Sequence, residues 1–265
     1  MNTAIWARSL RDHVRSIIGW TSGVVGLVVV QMMVYPTIRS SSEDWESLTD
    51  TFPEPIREML RMEDYSTPSG YIATELLSFL VPFMVLTLAA SWGARTTTDE
   101  EENGTADVLL ALPVSRASIV SMKMAASATT LLVVLGCFGV SLGVGAQLLD
   151  MDIALARFLT TVVVLALLGA MVGSNAALVG SLTGRRTVAL GASVGLFTAL
   201  FVLYSLAPLV TGIERINPFN PVQWTLGATP LTTPFDLGYA VACVAVATVQ
   251  CAAAGWFFGR RDIAN

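Results

Sequence analysis

Six uncharged intervals, each long enough to cross a bilayer, restrict what this chain can fold into. They lie between Arg15 and Arg39, Glu75 and Arg95, Lys123 and Asp150, Arg157 and Arg185, Arg186 and Glu214, and Asp236 and Arg260, and they hold 23, 19, 26, 27, 27 and 23 residues. A membrane-spanning helix needs ~20 apolar residues. The intervals therefore predict spans at about 17–35, 72–94, 123–148, 158–182, 187–210 and 237–258.

Composition agrees with a membrane protein. Hydrophobic residues make up 54% of the 265 positions and charged residues 13%, whereas a soluble domain carries roughly 25% charge. We expect residues 1–265 to form one all-α polytopic transmembrane domain. A net charge of −5 argues against nucleic acid as a partner. The three cysteines fall inside apolar intervals and have no metal-ligand spacing, so we expect no metal site.

The distribution of basic residues predicts the orientation. An even number of spans places both termini on one side of the membrane. If that side is the cytoplasm, ten Arg and Lys residues are cytoplasmic and five are external. Cytoplasmic flanks are enriched in basic residues, so both termini are predicted to be cytoplasmic.

Residues 4–16 have the pattern of an amphipathic helix. Trp6 shares one face with other apolar residues, while Arg8, Arg11 and Arg15 share the opposite face. Such a helix lies in the membrane interface with its basic side toward lipid headgroups. The alternative is a basic cytosolic flank in front of the first span.

Two predicted external loops, 36–71 and 211–236, are too apolar in places to be free chain. The first contains a predicted helix start at Pro53-Glu54-Pro55. The second holds four prolines, which forbid one continuous helix, yet it also holds Phe219 and Trp224. We expect short broken helices there, before the last span.

Small and polar residues inside the spans suggest how the helices pack. Glycines four residues apart recur in several spans, and such pairs let helix backbones approach closely. Ordinary packing within one bundle explains most of them, although some could serve a dimer. Gln31, Asn175 and Gln250 could line a path, but hydrogen bonds between helices are the favoured interpretation.

The residues for enzymatic chemistry are missing. The one histidine is His13, in the N-terminal flank, and the one lysine, Lys123, is not part of a phosphate-binding G-x-x-x-x-G-K-[ST] loop. We therefore expect no catalytic residue and no nucleotide site in this chain. If transport is active, another subunit supplies the energy.

The polar stretch Thr98–Lys123 stands out between two apolar intervals. Thr98 and Glu101 have the spacing of a capping box, which predicts a helix over about 99–112 with its acids at the N-terminus. Gly104 would then lie inside this helix, where it suggests that something approaches the helix backbone closely; the alternative is a glycine that the helix merely tolerates. Ser115 is predicted to cap the following helix.

This stretch resembles the signature of ABC-2 type transporter permeases. The matching residues are Glu100-Glu101-Glu102-Asn103-Gly104-Thr105, then Leu109 to Arg116 as LLALPVSR, and Lys123 ahead of span 3. The motif covers about a tenth of the chain, and the predicted helices extend the likeness over its length. One departure is Glu101, since a basic residue is common at that position in the family.

The resemblance implies a coupling helix between spans 2 and 3 that seats in a groove of an ATP-binding subunit. Glu100, Glu102, Gly104 and Thr105 would occupy its coupling positions, together with the extra acid Glu101. It further implies two ATP-binding subunits that carry ATP and magnesium, a second or sister permease, and the interfacial helix as a second contact. Members of the family mostly export lipids, glycans, antibiotics, peptides or other drugs, so we expect this chain to be a multi-pass protein of a prokaryotic plasma membrane that exports a lipid, drug, antibiotic or peptide-like substrate.

Two other classes of protein remain open from the sequence. One is a membrane-embedded enzyme, which is disfavoured because the sequence places no histidine, no lysine and no paired acids at mid-membrane. The other is a membrane scaffold without transport activity. Association with an ATP-binding subunit would separate the permease from both.

Overall fold

A computed structural model describes residues 2–41, 48–49, 51–60, 65–104, 114–227, 231 and 235–260 of this chain. Its α-helices are α1 (Asn2–Ser40), α2 (Glu54–Leu60), α3 (Pro68–Ile72), α4 (Leu80–Glu102), α5 (Arg116–Leu148), α6 (Leu155–Thr183), α7 (Arg186–Leu206), α8 (Thr211–Ile216), α9 (Pro221–Leu226) and α10 (Leu237–Arg260). A π-helix, Ala73–Leu77, joins α3 to α4, and 3-10 turns at Ala207–Leu209 and Asn217–Phe219 flank α8.

The helices have the length and composition of a membrane bundle. Within the described residues, α1, α5, α6, α7 and α10 are long and apolar enough to span a bilayer. The segments Pro68–Leu77 and Leu80–Glu102 make a sixth span if they count as one, with a bend of 41° between them. The predicted span 72–94 crosses this bend, which the uncharged interval did not reveal.

The first helix differs from the prediction, because no boundary separates an interfacial segment from the first span. Residues 2–40 form one helix. Trp6 Nε1 donates to Thr129 Oγ1 (3.3 Å), and Ser16 Oγ accepts from Trp92 Nε1 (3.4 Å). These two bonds tie the N-terminal part of α1 to α5 and α4.

A polar cluster holds the bend between α3 and α4. Glu75, in the π-helix, accepts hydrogen bonds from Tyr65 Oη (2.8 Å) and Gln31 Nε2 (3.2 Å). Tyr71 Oη donates to the Gln31 carbonyl (3.0 Å). Burial, and then the bond to Glu75, raise the pKa of Tyr65. The carboxylate thus joins the bend to α1 and to the segment before α3.

The two segments predicted as external loops contain short helices. Helix α2 begins at Glu54, directly after the predicted Pro53 signal, and contacts α7 and the turn Ala207–Leu209. In the second segment Asn220 caps α9 by accepting from the Val222 amide. Its amide group also donates to the Leu200 carbonyl (2.8 Å). The prediction of broken helices before the last span is confirmed.

Helices α4 and α6 approach each other closely. A Cβ at Gly93 would lie 2.1 Å from the Gly173 carbonyl oxygen, a distance that no side chain can occupy. One turn beyond Gly93 on α4, Thr97 Oγ1 would lie 2.4 Å from a Cβ at Gly180, and the Thr97 hydroxyl donates to the Ala177 carbonyl. The two backbones can approach this closely only because both positions lack side chains.

The remaining glycines differ in whether a neighbouring helix lies against them. Gly139 and Gly169 face neighbouring side chains, whereas a Cβ at Gly19, Gly23, Gly191 or Gly195 would meet nothing within 4 Å. The polar residues form hydrogen bonds between helices, in agreement with the interpretation favoured from the sequence. Ser193 Oγ donates to Asn175 Oδ1 (2.9 Å), and Ser174 Oγ donates to Gln250 Oε1 (2.7 Å).

Replacing Gly93 by leucine is expected to destabilise the bundle, because the side chain would force α4 away from α6. Overpacking of this kind costs about 3 kcal/mol, which lowers the melting temperature by on the order of 10 °C. Thermal unfolding in detergent, followed by size-exclusion chromatography, measures the change. Gly191→Leu, placed on an open helix face, is the control and should have the same melting temperature as the wild type. Equal melting of both variants would contradict the close α4–α6 contact.

Candidate functional site

The predicted coupling residues lie at the end of α4, and the predicted capping box is wrong. Thr98 is fully buried inside α4, and its hydroxyl donates back to the Ala94 carbonyl (3.0 Å). Nothing in Arg95–Thr98 stops the helix, so α4 continues to Glu102. The acidic residues therefore stand at the C-terminus of a helix, where the helix dipole disfavours negative charge.

The end of α4 forms an exposed tip at Asn103 and Gly104. The Asn103 side chain donates to the Asp99 carbonyl (2.8 Å), which satisfies an acceptor of the last turn. Gly104 follows with φ +65°, a left-handed conformation that favours glycine after a helix end. Within the described residues, a Cβ at Gly104 would meet nothing within 4 Å. The left-handed conformation therefore accounts for the glycine without a close contact from this part of the chain.

Only part of the predicted helix over about 99–112 can be compared with the structure. Residues 99–102 are helical, but they belong to α4. Thr105 and the residues up to Pro113 lie outside the described part of the chain. The chain resumes at Val114, and Ser115 caps α5 by accepting from the Ser118 amide (3.2 Å), as predicted.

Glu100 joins the tip of α4 to the beginning of α5. Its carboxylate forms an ion pair with Lys123 Nζ at 2.5 Å, and the two side chains are 23% and 11% exposed. Lys123 also donates to the Arg95 carbonyl (3.4 Å). A partly buried pair with this second bond fixes α4 against α5 more firmly than an exposed pair would.

Glu102 joins the same tip to α7. Its Oε1 accepts a hydrogen bond from the Arg186 amide at 3.2 Å. Arg186 is the first residue of α7, and Arg185, which precedes it, provides no side-chain cap. The positive end of the α7 dipole therefore meets a carboxylate from α4. Glu101, between these two acids, is half-buried.

The N-terminal part of α1 faces this cluster across a cavity of about 490 Å³. The charged residues and the histidine that line it are Arg8, Asp12, His13, Arg95, Asp99, Glu100 and Lys123. The His13 ring lies edge-on to Trp92, with centroids 6.0 Å apart. Arg8, Arg11 and Arg15 are all exposed, whereas Trp6 is half-buried against Thr129. Of the three arginines, Arg8 lines the cavity.

The geometry suits a mechanical role. Two acids of one helix end bind two other helices, so a displacement of the tip reaches α4, α5 and α7 together. The sequence reasoning missed Lys123 and Arg186 as partners of Glu100 and Glu102. For Lys123 a signal was present, since it is the one lysine and it stands at the start of a span. For Arg186 no local signal exists, because it is 84 residues from Glu102.

Comparison with known proteins agrees with this architecture. The family model described as "ABC-2 family transporter protein" matches residues 3–263, nearly the whole chain. No curated protein gives a significant match to the sequence.

Removing the Lys123 charge is expected to destabilise the chain, because Glu100 would remain partly buried without its partner. We expect Lys123→Met to cost about 1–3 kcal/mol. The exchange Glu100→Lys with Lys123→Glu should recover most of this loss by restoring the pair. Melting temperatures of the purified variants test both statements. Arg11→Met, at an exposed position, is the control. An exchange variant as unstable as Lys123→Met would show that the pair does not hold the two helices.

Proposed function

This chain belongs to the ABC-2 family of transporter proteins, and from that premise we propose that it is the membrane subunit of an ATP-driven exporter. Family membership makes it a membrane permease and implies partnership with an ATP-binding subunit. The further proposal is that the α4 tip receives the movement of that subunit and passes it to the spans.

One observation carries the proposal. Helix α4 runs without interruption from the bend beside Glu75 to the exposed tip at Gly104, and the acids at that tip bind α5 and α7. A rigid helix held in this way turns a push at its end into a tilt of three helices, which a loop with free ends could not do. The tip exposes Asn103 and Gly104 for contact.

The energy for transport would come from the partner. The sequence has no phosphate-binding loop of the G-x-x-x-x-G-K-[ST] kind. We propose that ATP and magnesium bind to two separate subunits, and that this chain catalyses no reaction itself. A second copy or a sister permease would complete the membrane part, in the plasma membrane of a prokaryote.

The cargo would be amphiphilic or apolar. The uncharged intervals of the sequence contain no Asp, Glu, Lys or Arg, and the one carboxylate near the bend, Glu75, is already bonded to Tyr65 and Gln31. Carriers of small ions keep ionisable groups at mid-membrane. A lipid, drug, antibiotic or peptide-like cargo taken from the cytoplasmic leaflet is more compatible with spans that lack charged residues.

The charge exchange at Glu100 and Lys123 also tests the coupling proposal. The exchanged protein keeps its internal ion pair but presents reversed charges to a basic partner surface. We expect the ATP-binding subunit retained during co-purification to fall by about tenfold, equivalent to ~1.4 kcal/mol. ATP-dependent transport in proteoliposomes should fall in parallel, while the melting temperature stays near that of the wild type.

Two results would count against this account. If the exchanged protein retained its ATP-binding subunit as well as the wild type, the charge at position 100 would serve only the internal contact with α5. If wild-type protein in mild detergent retained no ATP-binding subunit at all, the exporter proposal itself would fail. Arg215→Met, at an exposed position on α8 in the predicted external segment, serves as the control for a change of surface charge.

The proposed orientation predicts the behaviour of reporter fusions. A green fluorescent protein fused after Asn265 should fluoresce, and alkaline phosphatase at the same site should be inactive, because the first folds in the cytoplasm and the second outside it. Fusions after Asp150, between α5 and α6, should give the opposite pair of results. Active phosphatase at Asn265 would overturn the assignment of both termini to the cytoplasm.

A further inference from the structure

An apolar groove of about 840 Å³ runs between α1 and α5 on the outside of the bundle. It extends from Thr21 to Pro36 on α1, which corresponds to about 22 Å of helix. A Cβ at Gly145 would lie 2.8 Å from Met32, so the two helices touch at that level. A Cβ at Gly136 would meet nothing within 4 Å, so the groove is open there.

The walls of the groove are apolar and face outward. Val29 and Met33 on α1 are 42% and 73% exposed, and Val140 and Leu148 on α5 are 67% and 78% exposed. Water would solvate such a surface poorly. In a membrane these side chains contact the acyl chains of lipids, so the apolar surface is in a favourable environment.

The groove continues into a polar end. A smaller cavity of about 440 Å³ shares Pro36 and Leu149 with the groove and adds Tyr35, Arg39 and Ser40. Arg39 lies in the last turn of α1 and is exposed. In the part of the chain that the structure describes, no acidic residue forms an ion pair with Arg39. A guanidinium at the membrane boundary is well suited to bind a phosphate through two hydrogen bonds.

We propose that this groove binds one anionic phospholipid, with an acyl chain along α1 and α5 and the phosphate on Arg39. The size of the groove favours a lipid over a helix, because a spanning helix about 10 Å wide and 30 Å long fills about 2,400 Å³. The combination of an apolar channel with a cation at one end is complementary to a lipid whose headgroup carries negative charge. The proposal concerns a resident lipid and is independent of the coupling role of α4.

The experiment uses the purified full-length chain and native mass spectrometry. Phosphatidylglycerol and phosphatidylcholine with identical acyl chains are added in turn, and the bound lipid is counted. Gly136→Phe should fill the open part of the groove and lower the binding of both lipids by at least tenfold. Gly191→Phe is the matched control, since it also adds a ring to an open helix glycine but lies on α7. Val140→Trp is a second groove-filling variant in case Gly136→Phe does not fold.

Arg39→Gln tests the headgroup separately from the chain. We expect this variant to lose at least a fivefold preference for phosphatidylglycerol over phosphatidylcholine while still binding lipid. Arg157→Gln is its control, because α6 begins at the same end of the bundle and Arg157 does not line the cavity. An unchanged preference in Arg39→Gln would overturn the assignment of the phosphate.

Two further outcomes would overturn the site itself. Equal lipid binding by the two groove-filling variants and Gly191→Phe would show that the lipid lies elsewhere. A shift from dimer to monomer in Gly136→Phe, with unchanged lipid binding, would show that the groove receives a second copy of the chain.

Discussion

The contact between the backbones of α4 and α6 is the constraint on which the rest of this structure depends. Lipid offers no hydrophobic force that drives helices together, so association relies on close packing and hydrogen bonds. Gly93 and Gly173 let the two helices touch directly, and Thr97 adds a hydrogen bond to the Ala177 carbonyl. Helix α6 also contacts α5, α7 and α10, so fixing α4 on α6 positions α4 within the whole bundle.

With its middle fixed in this way, α4 connects two polar clusters at opposite ends of the molecule. At one end Glu75 joins the bend to Gln31 and Tyr65, and at the other Glu100 binds Lys123 and Glu102 caps α7. Each cluster links α4 to neighbouring elements instead of providing reactive groups. An arrangement of this kind is suited to the transmission of displacement that we propose for α4.

Much of this fold could be predicted because the relevant signals are local. Uncharged intervals indicate spans, prolines after Thr211 break the chain into α8 and α9, and Ser115 caps α5 as its position suggests. The capping box at Thr98 failed for a physical reason. Its spacing was right, but a buried threonine between two packed helices bonds within its own helix, and no local signal could reveal that burial.

The acids at the end of α4 show which features the sequence determines and which only the tertiary structure decides. The sequence alone determined that this is an all-helical membrane protein and that it carries a cluster of acids between two spans. Its prediction that these acids begin a helix was wrong, since they end α4. Only the tertiary structure decided what they bind, because Glu102 meets α7, whose first residue is 84 positions away. Composition and periodicity act over a few residues, whereas partners such as Lys123 and Arg186 come into reach only when the packed helices bring distant segments together.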